Sequence, residues 1–248
     1  MRWASLPADK QGVNCIQSSV DCLLDDKVLL IAVKGLPTAK RHAAHSRAAI
    51  LAAASELFAE QGYASTTLEE VGTRAGFSRG TPAYFYGSKQ RLYQAVLEHA
   101  FTRAHQALAG ARDEAEEAGL TGVDAFRHAL GAYIDFLVDQ PQFVRLVEWE
   151  ALRHGAGLGR TTPHLETVMT VLEQIGEALS DQLPVGFDLT QLMLSVAGLC
   201  WFPIAHRETL GMVLGVDAMS PQFVEARKEH VMELVMNGIS GLSRREES

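Results

Sequence analysis

The feature that most constrains the fold of this chain is a turn, Gly76–Phe77, between two short helical segments. The segment before the turn begins at Thr67, and Glu70 follows three residues later. This is the spacing of a capping box, in which the side chain of each residue accepts a hydrogen bond from the backbone N–H group of the other. Its apolar face has three residues at helical spacing, Leu68, Val71 and Ala75. After the turn, Ser78 is placed to cap a further helix. Two short helices around a glycine-containing turn are typical of a helix-turn-helix.

Longer helices are predicted on both sides of this motif. Before it, apolar residues recur at helical spacing up to Gly62, which suits a left-handed C-terminal cap. These residues are Ile50, Ala54, Leu57 and Phe58. After the motif, Ser88 and Lys89 begin a fourth helix that continues towards Glu117. We therefore expect a helix-turn-helix domain over residues 41–93, joined to the rest of the chain by the fourth helix.

The third helix presents side chains suited to DNA in its first turn. In a helix-turn-helix, the N-terminal residues of the second helix of the motif meet base edges in the major groove, where arginine can donate two hydrogen bonds to guanine. Arg79 is therefore the predicted base reader. Gly80 would let the backbone approach closely, and Thr81 could bond a phosphate or touch a thymine methyl group. Pro82 is expected to remove one hydrogen bond near the helix end, since Ser78 is the expected cap.

Further residues extend this predicted surface. Lys89 lies in the first turn of the fourth helix, whose N-terminus favours a phosphate, so it is expected to clamp the backbone of DNA and not to read bases. Basic residues before the first helix form either an arm that reaches DNA or a solvated tail. The complete predicted DNA-binding set is Lys40, Arg41, Arg47, Thr67, Ser78, Arg79, Gly80, Thr81, Tyr84, Tyr86 and Lys89.

The order of these features resembles the TetR family of bacterial transcriptional repressors. The resemblance covers residues 46–97 and rests on the run from Gly76 to Thr81, the aromatic cluster that follows it, and the run from Gly87 to Lys89. It implies an all-α protein in which a DNA-binding head is attached to a larger helical part that binds a ligand and forms a homodimer.

Four positions depart from the family pattern. Leucine and tyrosine are usual where this chain has Pro82 and Ala83. An acid is common at Gln90, and a base is common at Glu69. Because Ala83 lacks the tyrosine hydroxyl, one phosphate contact of the family is missing, and the neighbouring tyrosines are expected to supply it.

Helical periodicity, caps and breaks continue through residues 94–248, and no convincing sheet is found. Beyond the fourth helix the predicted segments are Val123 to Gln140, Pro141 to His154, Pro163 to near Leu183, all or part of Leu189 to Leu214 behind the cap Asp188, and Pro221 to near Leu242. About nine helices in total make the predicted fold all-α.

Two of these segments carry more apolar residues than a one-sided surface helix needs. The segment from Leu189 to Ile204 is apolar on all sides, and the last helix has an apolar repeat from Phe223 to Ile239. Such a surplus implies burial by another surface. The resemblance implies that the last two long helices of two chains form a four-helix interface in a homodimer. Burial inside one protomer is the alternative.

The resemblance also implies a small-molecule effector, whose identity the sequence leaves open. Pockets within helical proteins are mainly apolar with a few polar groups, so aromatic, methionine and histidine side chains of the larger part are the candidates. They are Phe126, Phe136, Phe143, Trp149, His154, Met169, Met193, Trp201, Phe202 and His206. Many of these side chains are equally explained as ordinary core residues.

Charge and cysteine content limit the classes to which the chain can belong. The net charge is −8, yet residues 34–103 carry nine Lys and Arg against five Asp and Glu, whereas residues 104–248 carry ten against twenty-one. A basic module on an acidic remainder fits a DNA-binding head. Three cysteines without close pairing support neither a disulfide framework nor a zinc site and indicate a reducing compartment.

Residues 1–40 show no sustained periodicity and are expected to be a poorly ordered extension. Their apolar run from Val28 to Val33 is bounded by lysines and is far shorter than the roughly 18 to 20 residues that span a bilayer. Acidic residues such as Asp21 disfavour a signal peptide. We therefore expect no membrane contact and a cytoplasmic location.

Three hypotheses describe the function. The first is a ligand-responsive homodimeric repressor of palindromic operators. An enzyme is disfavoured because no nucleophile, zinc or phosphate-loop motif occurs, and because Glu148 and Glu150, two apart on a helix, point to different faces. Accordingly, no catalytic residue, metal or cofactor is expected. The third is a helical interaction protein that lacks operator binding, suggested by Ala83, Glu69 and the long N-terminal extension.

Overall fold

The computed structural model describes residues 38–158, 170, 173, 175–183 and 187–246. Every regular element among these residues is helical, which confirms the predicted all-α fold. The helices are α1 (Thr38–Ser65), α2 (Leu68–Arg74), α3 (Thr81–Tyr86), α4 (Lys89–Glu117), α5 (Gly122–Asp139), α6 (Pro141–Leu152), α7 (Leu189–Ala205), α8 (Met212–Leu214) and α9 (Pro221–Glu246). A π-helical turn, Arg207–Gly211, connects α7 to α8, and residues 175–179 are also helical.

Two hydrophobic cores divide the described chain into a head and a body. The head consists of α1 to α3 and the first part of α4, with Phe58 and Tyr93 among its fully buried side chains. The body consists of the rest of α4 and α5 to α9, with Leu137 and Cys200 in its core. Leu146 of α6 packs in the core of the head, so the head rests directly on the body.

Three helix starts predicted from the sequence are confirmed. At α2, the Thr67 hydroxyl accepts a hydrogen bond from the backbone N–H of Glu70 (3.2 Å), and the Glu70 carboxylate accepts one from the N–H of Thr67 (2.8 Å), which completes the capping box. At α4 and α7, the side chains of Ser88 and Asp188 accept hydrogen bonds from N–H groups of the first turn.

The start of α3 differs from the prediction. Ser78 does not cap this helix, because the chain first makes a turn in which the N–H of Thr81 donates to the Ser78 carbonyl (3.0 Å), and Gly80 precedes the helix. Pro82 is therefore the second helical residue, where an N–H has no intrahelical partner, and it removes no helical hydrogen bond. Sequence reasoning missed Gly72, at which a Cβ atom would lie 2.8 Å from the Ser78 carbonyl oxygen.

The predicted break of the first helix at Gly62 is confirmed. Its φ of 76° requires glycine, whereas its ψ of 173° is extended and so differs from the left-handed helical cap that the sequence predicts. A Cβ atom at Gly62 would lie 2.9 Å from the Trp149 ring. The Trp149 Nε1 donates to the Ala59 carbonyl (3.1 Å), so this tryptophan of α6 holds the end of α1 on the body.

Helix α1 covers Thr38–Ser65, so Lys40, Arg41 and Arg47, for which the sequence leaves an arm or a solvated tail open, lie in a helix. The sequence from Ala39 to Ala54 is rich in alanine, which has the highest helix propensity, so a helix is favoured there. The remainder of the predicted extension lies outside the described residues.

Two helix ends in the body differ from the prediction. Helix α6 ends at Leu152, two residues before His154, whose φ of 56° is incompatible with a right-handed helix, and α9 extends to Glu246. Helix α7 ends at Ala205 and so covers part of the segment from Leu189 to Leu214, as predicted. A π-helical turn from Arg207 to Gly211 then redirects the chain. Most of the helix predicted from Pro163 lies outside the described residues.

Helix α7 has 17 residues, most of them apolar. Within the described ranges, no single helix is both long enough and apolar enough to cross a membrane. Helix α7 and the segment Arg207–Leu214, which are bent by 57° relative to each other, reach the necessary length and composition only as a pair. Leu192, Val196 and Cys200 of α7 are buried in the core of the body.

We expect Gly62→Ala to lower the free energy of unfolding by more than about 1 kcal/mol, because alanine disfavours a positive φ and its Cβ would meet Trp149. Gly110→Ala is the matched control. Gly110 lies within α4 and has open space around its Cβ position, so helix propensity predicts a gain of roughly 0.5 to 1 kcal/mol. Urea denaturation measures both changes, and a stabilising Gly62→Ala would contradict the role assigned to Gly62.

Candidate functional site

The turn between α2 and α3 faces outward from the head. Arg79 and Gly80 are exposed, and nothing lies within 4 Å of the position of a Cβ atom at Gly80. The Ser78 and Thr81 hydroxyl oxygens lie 2.8 Å apart. Tyr84 is 84% exposed. Among the described aromatic rings, the one that contacts it is Phe85, in an edge-to-face arrangement. Five of the predicted DNA-binding residues therefore form one accessible surface.

Arg79 is held by an acidic neighbour from the preceding helix. Its Nη1 lies 3.3 Å from a carboxylate oxygen of Glu69, and both side chains are largely exposed. An exposed ion pair contributes at most about 1 kcal/mol, because water competes for both groups. The pair can therefore orient Arg79 without preventing its transfer to a base edge. Glu69 is the position at which the sequence departs from the basic residue of the family.

Tyr86 is not available to DNA, which corrects the prediction. Only 7% of it is exposed, and its hydroxyl donates to the Arg47 carbonyl (3.0 Å). The Arg47 guanidinium lies over the Tyr86 ring at 4.8 Å. Tyr86 is thus a core residue that joins α3 to α1. Arg47 and Arg41 remain exposed on α1, whereas the side chain of Lys40 lies outside the described residues.

Two other predicted contacts are engaged within the head. The Lys89 Nζ donates to the Ala64 carbonyl (3.1 Å) in the last turn of α1 and lies 4.5 Å from the centre of the Tyr63 ring. Burial lowers the pKa of Lys89, and the nearby Arg153 adds to this effect. The Thr67 hydroxyl is committed to the capping box. A phosphate at the start of α4 would have to draw Lys89 away from the end of α1.

A buried carboxylate connects the head to the body. Glu150 of α6 is fully buried and accepts a hydrogen bond from the Tyr93 hydroxyl of α4 (2.6 Å). It also accepts hydrogen bonds from the backbone N–H groups of Gly157 (2.6 Å) and Leu158 (3.2 Å) and from the Arg153 guanidinium. Burial raises the pKa of Tyr93, and its hydrogen bond to Glu150 raises it further. We name this group the Glu150 cluster: Tyr93, Glu150, Arg153, Gly157 and Leu158.

Arg153 extends the Glu150 cluster to the end of α1. Its guanidinium lies over the rings of Tyr63 (4.3 Å) and Tyr93 (5.0 Å). Tyr63 also contacts Lys89, so residues from α1, α4 and α6 meet at one point. Sequence reasoning missed this cluster, because its hydrogen-bonded residues are up to 57 positions apart. The one local signal for this cluster is that Glu150 lies on the face of α6 whose other buried residues are apolar.

A cavity of about 670 Å³ lies inside the body. It is bounded by α4, α5, α6 and α7 and by residues near position 177. Four of the predicted pocket residues line it, namely Phe126, Phe143, Met193 and Trp201. Sequence reasoning missed Tyr133 and Arg112, which also line it. The cavity makes this part of the body the candidate effector site.

The other predicted pocket residues lie elsewhere. Phe136 is buried behind Phe143, with ring centres 5.1 Å apart, and Trp149 contacts the head. His154 is exposed in the loop after α6. Phe202 and His206 contact each other, with ring centres 4.4 Å apart, but do not reach the cavity. Met169 lies outside the described residues.

The last two long helices are partly buried and partly exposed. Most apolar residues of α7 point into the body, as the alternative of burial inside one protomer predicts. Leu194, Gly198 and Phe202, however, are exposed at helical spacing on its opposite face. On α9, Leu234 is 47% exposed, and open space surrounds the glycines that follow it. We name these two stripes the α7–α9 face: Leu194, Gly198, Phe202, Leu234, Gly238 and Gly241.

Acidic and histidine side chains do not form a metal site in the part of the chain that the structure describes. No group of three or more His, Cys, Asp or Glu residues there is placed to hold a metal ion. The buried cysteine, Cys200, has a pKa raised to about 12 by burial, so its thiol is protonated and poorly nucleophilic.

Comparisons with known proteins find matches for both the head and the body. The model for bacterial regulatory proteins of the tetR family matches residues 50–96, and the model for the tetracyclin repressor-like C-terminal domain matches residues 123–235. The HTH-type transcriptional repressor NicS of Pseudomonas putida is 26% identical over 211 residues, which cover 80% of this chain and 94% of that protein. The regulator TtgR of Pseudomonas putida is 35% identical over 78 residues, 32% of this chain and 37% of TtgR.

Solved structures share the fold at lower identity. A TetR family regulator from Marinobacter aquaeolei has a TM-score of 0.60 and 15% identity, covering 78% of this chain and 97% of its own. A TetR-like regulator from a Rhodococcus species has a TM-score of 0.58 and 20% identity, and the match covers 79% of this chain and 96% of that one.

The two family models match the head and the body separately and in the expected order. Members of this family regulate transcription and are not enzymes, so the buried Glu150 has no catalytic role. In a helix-turn-helix, the second helix of the motif enters the major groove, and here the turn before that helix carries Arg79. The chain belongs to the TetR family and is a DNA-binding transcriptional regulator.

Proposed function

We propose that this regulator is a homodimeric repressor that binds palindromic operator DNA and is released from it by a small molecule in the cavity. The observation that carries the proposal is the exposed turn from Gly76 to Thr81, which presents Arg79 at the surface of the head. In this role the regulator acts on bacterial DNA in the cytoplasm.

On DNA, Arg79 would leave Glu69 and donate two hydrogen bonds to a guanine in the major groove. The hydroxyl groups of Ser78 and Thr81 lie beside it and could bond the adjacent phosphates. Tyr84, which is exposed, replaces the phosphate contact that Ala83 lacks. Arg41 and Arg47 project from α1 and would add sequence-independent attraction to the DNA backbone.

A second copy of this chain is the proposed partner of the α7–α9 face. Its three exposed apolar side chains would be removed from water by the same face of another protomer, as in a two-fold symmetric interface. Its glycines leave open space, which allows two helices to approach closely. A dimer would also place two heads to meet successive major grooves, about 34 Å apart, which requires a palindromic operator.

The inward positions of Tyr86 and Lys89 favour the alternative, an interaction protein without operator binding. They remove two of the predicted DNA contacts from the surface. Arg79, Ser78, Thr81 and the basic residues of α1 remain, so the head keeps both a base reader and phosphate contacts. The operator experiment that follows separates the two hypotheses.

Operator sequences can be obtained by selecting random DNA that the full chain retains. On the selected operator, we expect Arg79→Ala to weaken binding by about 5- to 150-fold and to relax the preference at one base position, because a bidentate contact to guanine is worth roughly 1 to 3 kcal/mol. Arg103→Ala removes the same charge from an exposed position of α4 in the body and should leave the preference unchanged. Failure to select any sequence would favour the alternative hypothesis.

Leu234→Glu is expected to shift the protein from dimer to monomer, because each dimer would bury two new carboxylates in an apolar interface. The dimer dissociation constant should rise by at least about 30-fold, equivalent to roughly 2 kcal/mol. Leu152→Glu changes an exposed leucine outside the α7–α9 face and serves as the control. Sedimentation equilibrium measures both, and an unchanged dimer with Leu234→Glu would exclude this face as the interface.

A further inference from the structure

The cavity is elongated. Its lining residues on α4 run from Phe101 to Glu116, which corresponds to a rise of roughly 22 Å along the helix axis. One end lies at the connection between α4 and α5, and the other is bounded by Val147 and Leu158 next to the head. A compact molecule would leave much of this length unfilled, so the shape favours an extended ligand.

Among the described lining residues, three are charged. They are Arg112, Glu116 and Glu177, and all three are exposed to solvent. The remaining lining is dominated by apolar side chains, including Phe101, Phe126 and Trp201. No cationic side chain of the described lining borders the apolar part of the cavity, so an anionic group placed there would be desolvated without a partner. The lining therefore disfavours an acid as the ligand.

One polar side chain lies among the apolar residues of the lining. Tyr133 of α5 borders the cavity beside Ala129 and Leu130, and its hydroxyl has no hydrogen-bond partner among the described residues. Burial raises the pKa of Tyr133, and the neighbouring Cys200 adds to this effect. Its O–H group is therefore protonated and can donate a hydrogen bond to an acceptor on the ligand.

We propose that the cavity binds an elongated, uncharged and mainly apolar molecule whose carbonyl oxygen accepts a hydrogen bond from Tyr133. Ketones, esters and amides with an unbranched apolar chain are of this class. The inference deepens the proposed effector site, but binding of the ligand can be measured without DNA. A failure of ligand selectivity is therefore distinguishable from a failure of operator binding.

Calorimetric titration of the full chain with 2-decanone, decanoate and decylamine, each below its aggregation concentration, tests the class of ligand. We expect 2-decanone to bind once per chain and at least about tenfold more tightly than decanoate. Tyr133→Phe should weaken 2-decanone about 3- to 10-fold, the effect of one lost hydrogen bond. Tyr84→Phe removes the same hydroxyl from an exposed site in the head, far from the lining residues, and should leave the affinity for 2-decanone unchanged.

Three results would overturn this proposal. They are a preference for decanoate or decylamine over 2-decanone, an unchanged affinity of Tyr133→Phe for 2-decanone, and the absence of binding of all three compounds at their solubility limits. Thermal unfolding of Tyr133→Phe shows whether the variant is folded. If it is not, Tyr133→Trp, which keeps an aromatic N–H donor, should retain more affinity for 2-decanone than Tyr133→Leu.

A separate observation links the cavity to the head. The Leu158 side chain lines the cavity, and the Leu158 backbone N–H donates to Glu150. The same carboxylate accepts the hydroxyl of Tyr93, which is packed in the core of the head. Arg153, bonded to Glu150, stacks on Tyr63 at the end of α1. Glu150 thus contacts the wall of the cavity and α4 directly, and it reaches α1 through Arg153.

The space around the Glu150 cluster is tightly filled. A Cβ atom at Gly157 would lie 2.6 Å from the Tyr93 ring and 2.9 Å from both Glu150 carboxylate oxygens. A displacement of the Gly157–Leu158 backbone therefore cannot occur without moving these groups or breaking their hydrogen bonds. A buried carboxylate that loses a hydrogen-bond donor is destabilised unless another donor or water replaces it. Loss of the bonds from Gly157 and Leu158 therefore favours a rearrangement of Glu150 and of the side chains bonded to it.

We infer that Glu150 is a positioning residue that transmits occupancy of the cavity to the head. A molecule that displaces Leu158 withdraws backbone donors from Glu150, and the rearranged carboxylate releases Tyr93 and Arg153 from their positions against α1 and α4. This inference rests on the proposed function. It is independent of the ligand class, because any group that fills the cavity next to Leu158 should act in the same way.

A double-mutant cycle tests the link without a ligand. Ala129→Trp places a large side chain in the cavity, where Ala129 is part of the lining. We expect it to weaken operator binding more than tenfold in the otherwise unchanged protein, but less than threefold in a Glu150→Gln background. Glu148→Gln, on the same helix but outside the Glu150 cluster, should leave the full effect of Ala129→Trp in place.

Additive effects of Ala129→Trp and Glu150→Gln on operator affinity would overturn the inference, as would a lack of effect of Ala129→Trp alone. If Glu150→Gln does not fold, Tyr93→Phe removes only the hydroxyl that joins the cluster to the head, and the same cycle applies. If the unmodified protein binds no selected operator, the proposed function itself fails. A simple loss of stability would change operator binding in each background equally and so would give additivity.

Discussion

The relative position of the head and the body depends on the buried carboxylate of Glu150. Removing an unpaired carboxylate from water is unfavourable by several kcal/mol, so the side chain is tolerated only where donors surround it. Here the donors come from α4, from the end of α6 and from the backbone at Gly157 and Leu158. These segments can satisfy Glu150 only when the head lies against α6, and Trp149 adds a contact of its own at Ala59.

The helix-turn-helix could be predicted because its signals are local. The capping box joins Thr67 to Glu70, three residues apart, and Ser88 caps α4 through a backbone group equally close in sequence. Such pairs form whenever the helix forms, whatever the rest of the chain does. The error at Ser78 has the same origin. A cap was expected from residue type alone, but packing of the turn against Gly72 moved the helix start to Thr81.

Side-chain direction could not be predicted from residue type, because it depends on distant contacts. Tyr84 and Tyr86 both suited DNA in the sequence, yet Tyr86 turns inward to a carbonyl 39 positions away, and Tyr84 stays exposed. Trp201 and Phe202 are adjacent on α7, but only Trp201 lines the cavity. Glu150 was considered only as a potential catalytic residue, because nothing nearby in sequence indicates the Tyr93 hydroxyl that binds it.

Helix α4 belongs to both functional regions, which limits how a ligand can act. Its first turns carry Leu92 and Tyr93 into the core of the head, and the same helix lines the cavity from Phe101 to Glu116. Over its 29 residues it spans roughly 43 Å as one continuous element. A tilt of its cavity half must therefore move its head half, unless the helix bends. A ligand can change the spacing of two heads only as far as it binds more tightly to the state in which α4 is tilted. In the mechanism inferred above, the hydrogen bonds of the Glu150 cluster oppose that tilt. If the cluster couples the cavity to the head as inferred, its stability sets the minimum preference that an effector must have.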